Sequence, residues 1–176
     1  DENIIYIFDT DNFLVEDKDY LLIITNLESN NVITSETNLI HDFNLMSSFN
    51  NPAYKMGFYS HTGEFSTTTI EWSHAQNASI YQMIMFLNYF EYRQDTTLVK
   101  TIEKIFPIIQ YSGSTEMSQQ ITGEEFFHFI ANSIDNPEDT VTRRVNDIDI
   151  LFSVGSGELE TYINLNQPPT GIVQER

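Results

Sequence analysis

Short runs of bulky apolar residues, separated by polar and acidic stretches, open the chain and predict β-strands. Residues 4–8 read Ile-Ile-Tyr-Ile-Phe, and residues 20–24 read Tyr-Leu-Leu-Ile-Ile. Runs of this length that are rich in β-branched and aromatic side chains are typical of strands. Two more strand pieces are predicted at residues 54–59 and 66–72, but the topology of residues 1–75 is left open.

The longest predicted strand covers residues 80–92, where apolar side chains occupy both alternating sets of positions. A strand that is apolar on both faces has to be covered on both, by its own chain or by a neighbouring subunit. After it, Asp95 stands where a helix N-cap is expected, and Pro107 stands where a helix would end. Between them an apolar stripe with helical spacing predicts the principal helix of the chain, formed by Leu98, Val99, Ile102, Ile105 and Phe106.

The last third of the chain alternates between strand and turn signals. Residues 125–130 are predicted to form a strand, with a short helix start as the alternative, and residues 132–139 a loop. Residues 144–154 alternate cleanly and predict another strand. After a break at Gly155-Ser156-Gly157, residues 159–165 are predicted to return as its hairpin partner.

These elements predict an α+β fold, mainly an antiparallel sheet with one principal helix packed on it. Residues 1–166 are expected to form a single domain. Residues 167–176 contain Pro168-Pro169 and are predicted to form an extended C-terminal arm.

The ratio of acidic to basic residues limits the classes of partner that this chain is expected to bind. Of 176 residues, 26 are acidic and 8 are basic, which gives a formal net charge of −18. Electrostatic binding to nucleic acid or to an anionic membrane needs a basic footprint, so neither is expected. The aromatic content of 13% is too high for a wholly disordered acidic chain. From the acidic residues Asp1-Glu2-Asn3 no signal peptide is expected.

Candidate chemistry is sparse, and no catalytic residue, metal site or cofactor is predicted. The chain has no cysteine, and its four histidines lack metal-binding spacing. Residues 9–12 open like a calcium loop but lack the later ligands, so an acidic turn is the preferred interpretation. Asp147 and Asp149 share one strand face about 7 Å apart and could serve as acid and base. With so many carboxylates, however, such a pair is expected by chance.

Two blocks of the second half resemble the tail terminator, or tail-completion, proteins of contractile-tailed bacteriophages. In that family an apolar strand is followed by a polar turn and a helix that ends I-x-E-Q-I-L-P. Residues 88–109 are similar, with Glu103, Ile105 and Pro107 on the motif. Lys104 and Phe106 replace its Gln and its Leu.

The second block is the family's [ST]-R-R, which follows an acidic loop at the start of an alternating strand. Here Thr142-Arg143-Arg144 follows the acidic residues 135–139. The resemblance covers about residues 80–154, and residues 1–75 do not align with the helix and basic, aromatic segment with which family members usually begin.

The resemblance implies a non-catalytic virion protein that is assembled in the host cytoplasm and located in the phage tail and neck. It implies a homo-oligomeric ring, expected to be a hexamer, which caps the tail tube and contacts tube, sheath and neck proteins. DNA would pass nearby without specific binding, and no membrane would be involved. Arg143, Arg144 and Glu103 are the subunit-interface candidates, while Asp147 and Asp149 are candidates for facing the lumen or the solvent.

Other interpretations remain open at this point. Arg143 and Arg144 could simply balance local charge at the start of a strand. The whole chain could be an acidic DNA-mimic inhibitor or decoy that binds a basic protein. It could also be a small binding or catalytic domain whose site is not visible in the sequence.

Overall fold

The computed structural model describes residues 14–15, 18–46, 49, 51, 54–93, 96–134 and 141–166. The predicted strand at residues 4–8, the acidic turn at residues 9–12 and the predicted C-terminal arm lie outside the described residues, as does the predicted N-cap Asp95.

Within this described part, strands dominate and two helices complete the fold, which confirms the predicted α+β class. Every strand pair in it is antiparallel. The elements in chain order are β1 (Asp19–Thr25), β2 (Val32–Asn38), β3 (Thr67–Ser73), β4 (Ile80–Arg93), β5 (Thr96–Ile105), β6 (Ile109–Gln110), β7 (Glu116–Thr122), α1 (Gly123–Ser133), β8 (Val141–Gly155) and α2 (Gly157–Asn166).

The principal sheet is built around β4, which confirms the predicted strand at residues 80–92. β5 pairs with one edge of β4 and β8 with the other, while the short β6 continues the β5 side. Alternate side chains of β4 are buried in the core, namely Tyr81, Met83, Met85, Leu87, Tyr89 and Glu91. On the opposite face of β4, the described residues leave the side chains from Gln82 to Phe90 only half-buried. The expectation of cover on both faces is therefore met on one face.

The ladder between β4 and β8 contains a β-bulge. Asn88 pairs with Asp147, but Tyr89 pairs with Val145, so Asn146 is an extra residue on β8. Because side chains alternate along a strand, one extra residue reverses which of the following side chains face the core. On the N-terminal side of the bulge, the side chain of Arg143 therefore lies on the core side of β8.

A second, smaller layer covers the core face of the principal sheet. It contains the antiparallel pair β3–β7, which agrees with the predicted strand at residues 66–72. The segment 44–46 runs beside β3, since Met46 N–H donates to Glu71 O at 2.9 Å. Trp72 and Ile121 of this layer pack into one buried cluster with the core face of β4. Residues 54–59 do not form the predicted strand and contribute one isolated bridge, Tyr59 to Phe65.

The principal helix predicted after residue 95 is wrong, because residues 96–105 form β5. Six of its ten residues are β-branched, and such side chains favour an extended backbone. Its pairing with β4 from Arg93↔Thr96 to Ile84↔Ile105 satisfies the backbone groups that face β4 along the whole strand. The apolar residues with helical spacing fall on both faces of β5. Lys100, Ile102 and Lys104 point towards the core side and are half-buried.

The strand predicted at residues 125–130 is also wrong, and the helical alternative is the one observed, as part of α1. The Thr122 hydroxyl accepts a hydrogen bond from Glu125 N–H at 3.2 Å, which caps the first turn. Phe126 stacks on Phe58 with ring centroids 3.8 Å apart. Gly123 is needed where the helix begins, because a Cβ there would lie 2.1 Å from Phe58 O.

The return strand predicted at residues 159–165 is wrong as well, since these residues lie in α2. Glu160 N–H donates to Ser156 O at 3.0 Å and closes the first turn. Leu159 and Ile163 are four residues apart, so a helix places both on one side. That side lines a small cavity with Ile80, at the end of the sheet face that is turned away from the core.

β1 and β2 form a separate two-stranded hairpin. β1 confirms the predicted strand at residues 20–24, whereas no prediction was made for β2. None of the fourteen strand residues is buried, and Tyr20 alone is partly covered. The hairpin therefore contributes no side chain to the core of the described residues.

Candidate functional site

The most strongly perturbed ionisable group of the described residues is Glu91, whose side chain is fully buried at the end of the apolar face of β4. Its Oε1 accepts hydrogen bonds from Arg93 Nε at 2.8 Å and contacts Lys100 Nζ at 3.1 Å. Its Oε2 accepts from Arg143 Nε at 3.0 Å and lies 3.0 Å from Arg143 Nη2. We call these four residues the Glu91 cluster.

The three cations hold the buried carboxyl in its charged form. Burial alone would raise the pKa of Glu91, but the hydrogen bonds from Lys100, Arg93 and Arg143 lower this pKa to about 2. The cluster borders a cleft of about 500 Å³, also lined by Tyr89 and Ser133. One acid and three bases leave these four side chains with a net positive charge in a strongly acidic chain. The arrangement satisfies a buried carboxylate, which is a structural role.

The two predicted interface arginines lie on opposite faces of β8. Arg143 pairs with Glu91 in the ladder and is engaged inside the chain, with a side chain 20% exposed. Arg144 pairs with Phe90 and is exposed. The structure therefore does not bring the two arginines together into one site.

The predicted acidic residues lie on the face of the principal sheet opposite the core, here called the outer face. Asp147 and Asp149 are exposed there, and the Asn88 amide donates to both carboxylates, at 2.6 and 2.7 Å. Thr101 Oγ1 in turn donates to Asn88 Oδ1 at 2.6 Å. Glu103 is exposed on β5 and pairs with Phe86, whose partner on the other side is Asp149.

The outer face is also rich in apolar side chains. Ile84, Phe86 and Phe90 of β4 are half-buried on it. Val99, Ile105 and Leu151 from the flanking strands are 68%, 58% and 51% exposed. α2 covers one end of this face, near Ile80. Exposed apolar side chains gathered on one sheet face are a feature of protein–protein contacts.

A second apolar surface is the β1–β2 hairpin. Pairing of Ile24 with Ile33 and of Leu22 with Ser35 places these side chains on one face, together with Tyr20 and Thr37. That face carries no charged residue. The opposite face carries Leu21 and Ile23 but also Asp19 and Glu36. Leu22, Ile24 and Ile33 are 57%, 52% and 66% exposed.

The third surface is a groove of about 790 Å³ along β8, here called the β8 groove. One wall is the strand from residue 145 to residue 150, and the other is formed by Leu45, Phe49, Asn51, Tyr54, Lys55 and Met56. Phe49 and Tyr54 pack edge to face with centroids 4.8 Å apart. Among the described residues no strand pairs with the free edge of β8.

The histidines and carboxylates of the described residues form no group of three or more that could hold a metal ion. His74 stacks on Tyr111, and Nδ1 of its ring is 3.0 Å from the Tyr81 hydroxyl. Burial lowers the pKa of His74, which favours the neutral form of this ring beside the core. In the part of the chain that the structure describes, neither helix has the length and apolar character of a membrane span.

Sequence reasoning missed Glu91, Arg93 and Lys100. A sequence signal for Glu91 existed. This residue continues the alternating set of β4 positions that is buried, so it is an acidic residue at a core position. Lys100 lies in the segment predicted as the principal helix, outside the apolar stripe of that helix. In comparisons with known proteins, no protein-family model, no curated protein and no solved structure matches this chain.

Proposed function

We propose that this chain is a non-catalytic structural subunit that functions by assembling with other protein chains. The observation that carries the proposal is the amount of apolar surface that the described residues leave exposed on the hairpin, the outer face and the β8 groove. An isolated two-stranded hairpin has marginal stability in water, so one with apolar side chains on both faces needs a partner surface. Exposed apolar strands are otherwise sites of aggregation.

The more specific form of the proposal is a phage tail-terminator type of ring in the virion. Its support is the second sequence block, in which Thr142-Arg143-Arg144 lies at the start of the long alternating strand β8. The first block gives less support, because residues 88–109 form a strand, a turn and a second strand instead of a strand and a helix. The proposal therefore depends mainly on the open surfaces.

Charge is compatible with such a ring. Each subunit carries a formal charge of −18, and a pore lined with carboxylates repels the phosphates of DNA that passes through it. Asp147 and Asp149 are the proposed lumenal or solvent-facing acids. Arg144 and Glu103, which are both exposed, remain the proposed interface residues, whereas Arg143 is already paired with Glu91.

The test is mass measurement followed by electron microscopy, with the chain alone and with purified phage tail tubes. The proposal expects discrete rings, or a monomer that assembles on the end of a tube. A chain that stays monomeric and ignores tubes, yet binds a basic protein with nanomolar affinity, would instead support the acidic decoy. Turnover of a substrate that is abolished by Asp147→Asn would contradict the non-catalytic proposal.

A further inference from the structure

The β1–β2 hairpin and the β8 groove are two incomplete surfaces on the same chain. Among the described residues no strand pairs with either outer edge of the hairpin, and one hairpin face carries no charge, formed by Tyr20, Leu22, Ile24 and Ile33 with Ser35 and Thr37. The groove has a strand edge with which no described strand pairs, and a wall that includes the apolar parts of Phe49, Tyr54 and Met56 together with the charged Lys55. Each surface therefore presents a strand edge and apolar side chains against which the other surface can pack.

We propose that the hairpin of one copy docks in the β8 groove of a second copy, with β1 adding as an antiparallel strand to the free edge of β8. This inference rests on the proposed assembly function and names its contact. The addition would extend the principal sheet from three strands across to five. It belongs to the general mode of recognition in which an exposed sheet edge accepts a further strand.

The backbone supplies the first argument. An edge strand directs the N–H and C=O groups of every second residue away from its sheet, where they are available to a further strand. The groove runs along β8 from residue 145 to residue 150, about 20 Å at strand spacing. β1 has seven residues and spans about 24 Å, so β1 is long enough to cover this edge, including the bulge at Asn146 that interrupts it.

The side chains supply the second argument. When β1 lies beside β8, one face of the hairpin is turned towards the second layer, where Phe49, Tyr54 and Met56 form the wall. The charge-free face fits this position, because burial of an unpaired charge would be costly. Asp19 and Glu36 belong to the opposite face and would remain in water.

The geometry has a consequence for symmetry. A hairpin that enters a different surface of the next copy makes a head-to-tail contact, which generates a closed ring or an open filament. A ring uses every hairpin and every groove once. The contact therefore accounts for a closed assembly without a second interface.

The first experiment compares two hairpin variants that keep the charge and the strand propensity of the natural chain. Leu22→Thr with Ile24→Thr removes apolar side chains from the charge-free face, and Leu21→Thr with Ile23→Thr is the matched control on the opposite face. All four residues are more than half exposed, so neither variant disturbs the core. Self-association by sedimentation velocity should weaken at least about tenfold in the first variant and by less than about threefold in the control.

The second experiment traps the contact, which is possible because the natural chain has no cysteine. A Leu22→Cys chain mixed with a Tyr54→Cys chain should form a disulfide-linked heterodimer under mild oxidation. A Leu22→Cys chain mixed with a Leu165→Cys chain is the control, since Leu165 is 79% exposed on α2 and far in sequence from the groove.

The possible failures are distinguishable. If rings form but both Thr variants assemble like the natural chain, or the Tyr54→Cys trap gives no more product than the Leu165→Cys control, the hairpin contact is wrong and the assembly function stands. If the natural chain forms no assembly, alone or with tubes, both proposals are wrong.

Discussion

Glu91 determines the electrostatics at one end of the principal sheet, because its buried carboxylate collects three of the chain's eight basic residues. The ordinary pKa of this group is 4.5, and the cluster lowers it to about 2. The contribution of Glu91 to the free energy of unfolding is therefore fully present above about pH 4.5. It is lost as the pH falls towards 2, where the folded form also becomes protonated.

We expect Glu91→Gln to be less stable than the natural chain at pH 7, with a difference that shrinks as the pH is lowered from 4.5 to 2.5. Urea denaturation at a series of pH values measures this difference. Glu103→Gln, at an exposed carboxylate outside the cluster, should show no such convergence. A Glu91→Gln deficit that stays constant over this pH range would contradict the assignment.

The neighbouring arginines provide a matched pair of substitutions. Arg143→Ala should lower the free energy of unfolding by about 1–2 kcal/mol. This is less than the loss of a sole partner would cost, because Arg93 and Lys100 remain beside Glu91. Arg144→Ala should stay within about 0.5 kcal/mol of the natural chain, since Arg144 is exposed. Thermal or urea unfolding of the two variants checks this, and equal effects would contradict the separation of the arginines.

At the scale of single elements, the start of α1 is the most constrained point. Gly123 N–H donates to Ser66 O at 2.7 Å, and a Cβ at this residue would overlap the carbonyl oxygen of Phe58. Gly123→Ala should therefore destabilise the chain by about 3 kcal/mol or more. Gly57→Ala is the control, because a Cβ there meets nothing within 4 Å and should be close to neutral. Equal melting temperatures of the two variants would show that α1 does not approach Phe58 this closely.

β3, β4 and β8 could be predicted from the sequence, because each has a run of apolar and β-branched side chains that is typical of a strand. β5 could not, because apolar residues at positions 98, 102 and 105 fit a helical stripe as well as a strand. Pairing with β4, which depends on distant residues, decides between the two structures. For α1 a local signal existed in Thr122 and Glu125, which have the spacing of a capping box.

The candidate surfaces were predicted only in part. Alternation along β8 placed Asp147 and Asp149 together on one face, as the structure has them. Strict alternation along β8 does not lead to Arg143 on the core side, because the bulge at Asn146 that reverses the alternation cannot be inferred from a single strand. The open face of the hairpin depends on the pairing of Ile24 with Ile33, and β2 was not predicted at all.

At the scale of the whole molecule, the charge of −18 opposes association of identical copies. Added salt shortens the screening length from about 10 Å at 0.1 M to about 3 Å at 1 M. Self-association through apolar side chains and strand edges should therefore become tighter between these concentrations. Sedimentation velocity at both salt concentrations measures the effect. Binding that weakens with salt would instead indicate attraction between opposite charges, as expected of a decoy with a basic partner.

The bulge at Asn146 has a consequence for how β8 tolerates a change of register. With the bulge, the residue opposite Glu91 is Arg143. If Asn146 instead paired with Tyr89 in a continuous ladder from Asn88 and Asp147, Arg144 would lie opposite Glu91. Loss of the bulge would thus exchange two identical side chains and preserve the ion pair. Because Arg143 and Arg144 are adjacent, the buried carboxylate has an arginine opposite it even if the register of β8 shifts by one residue.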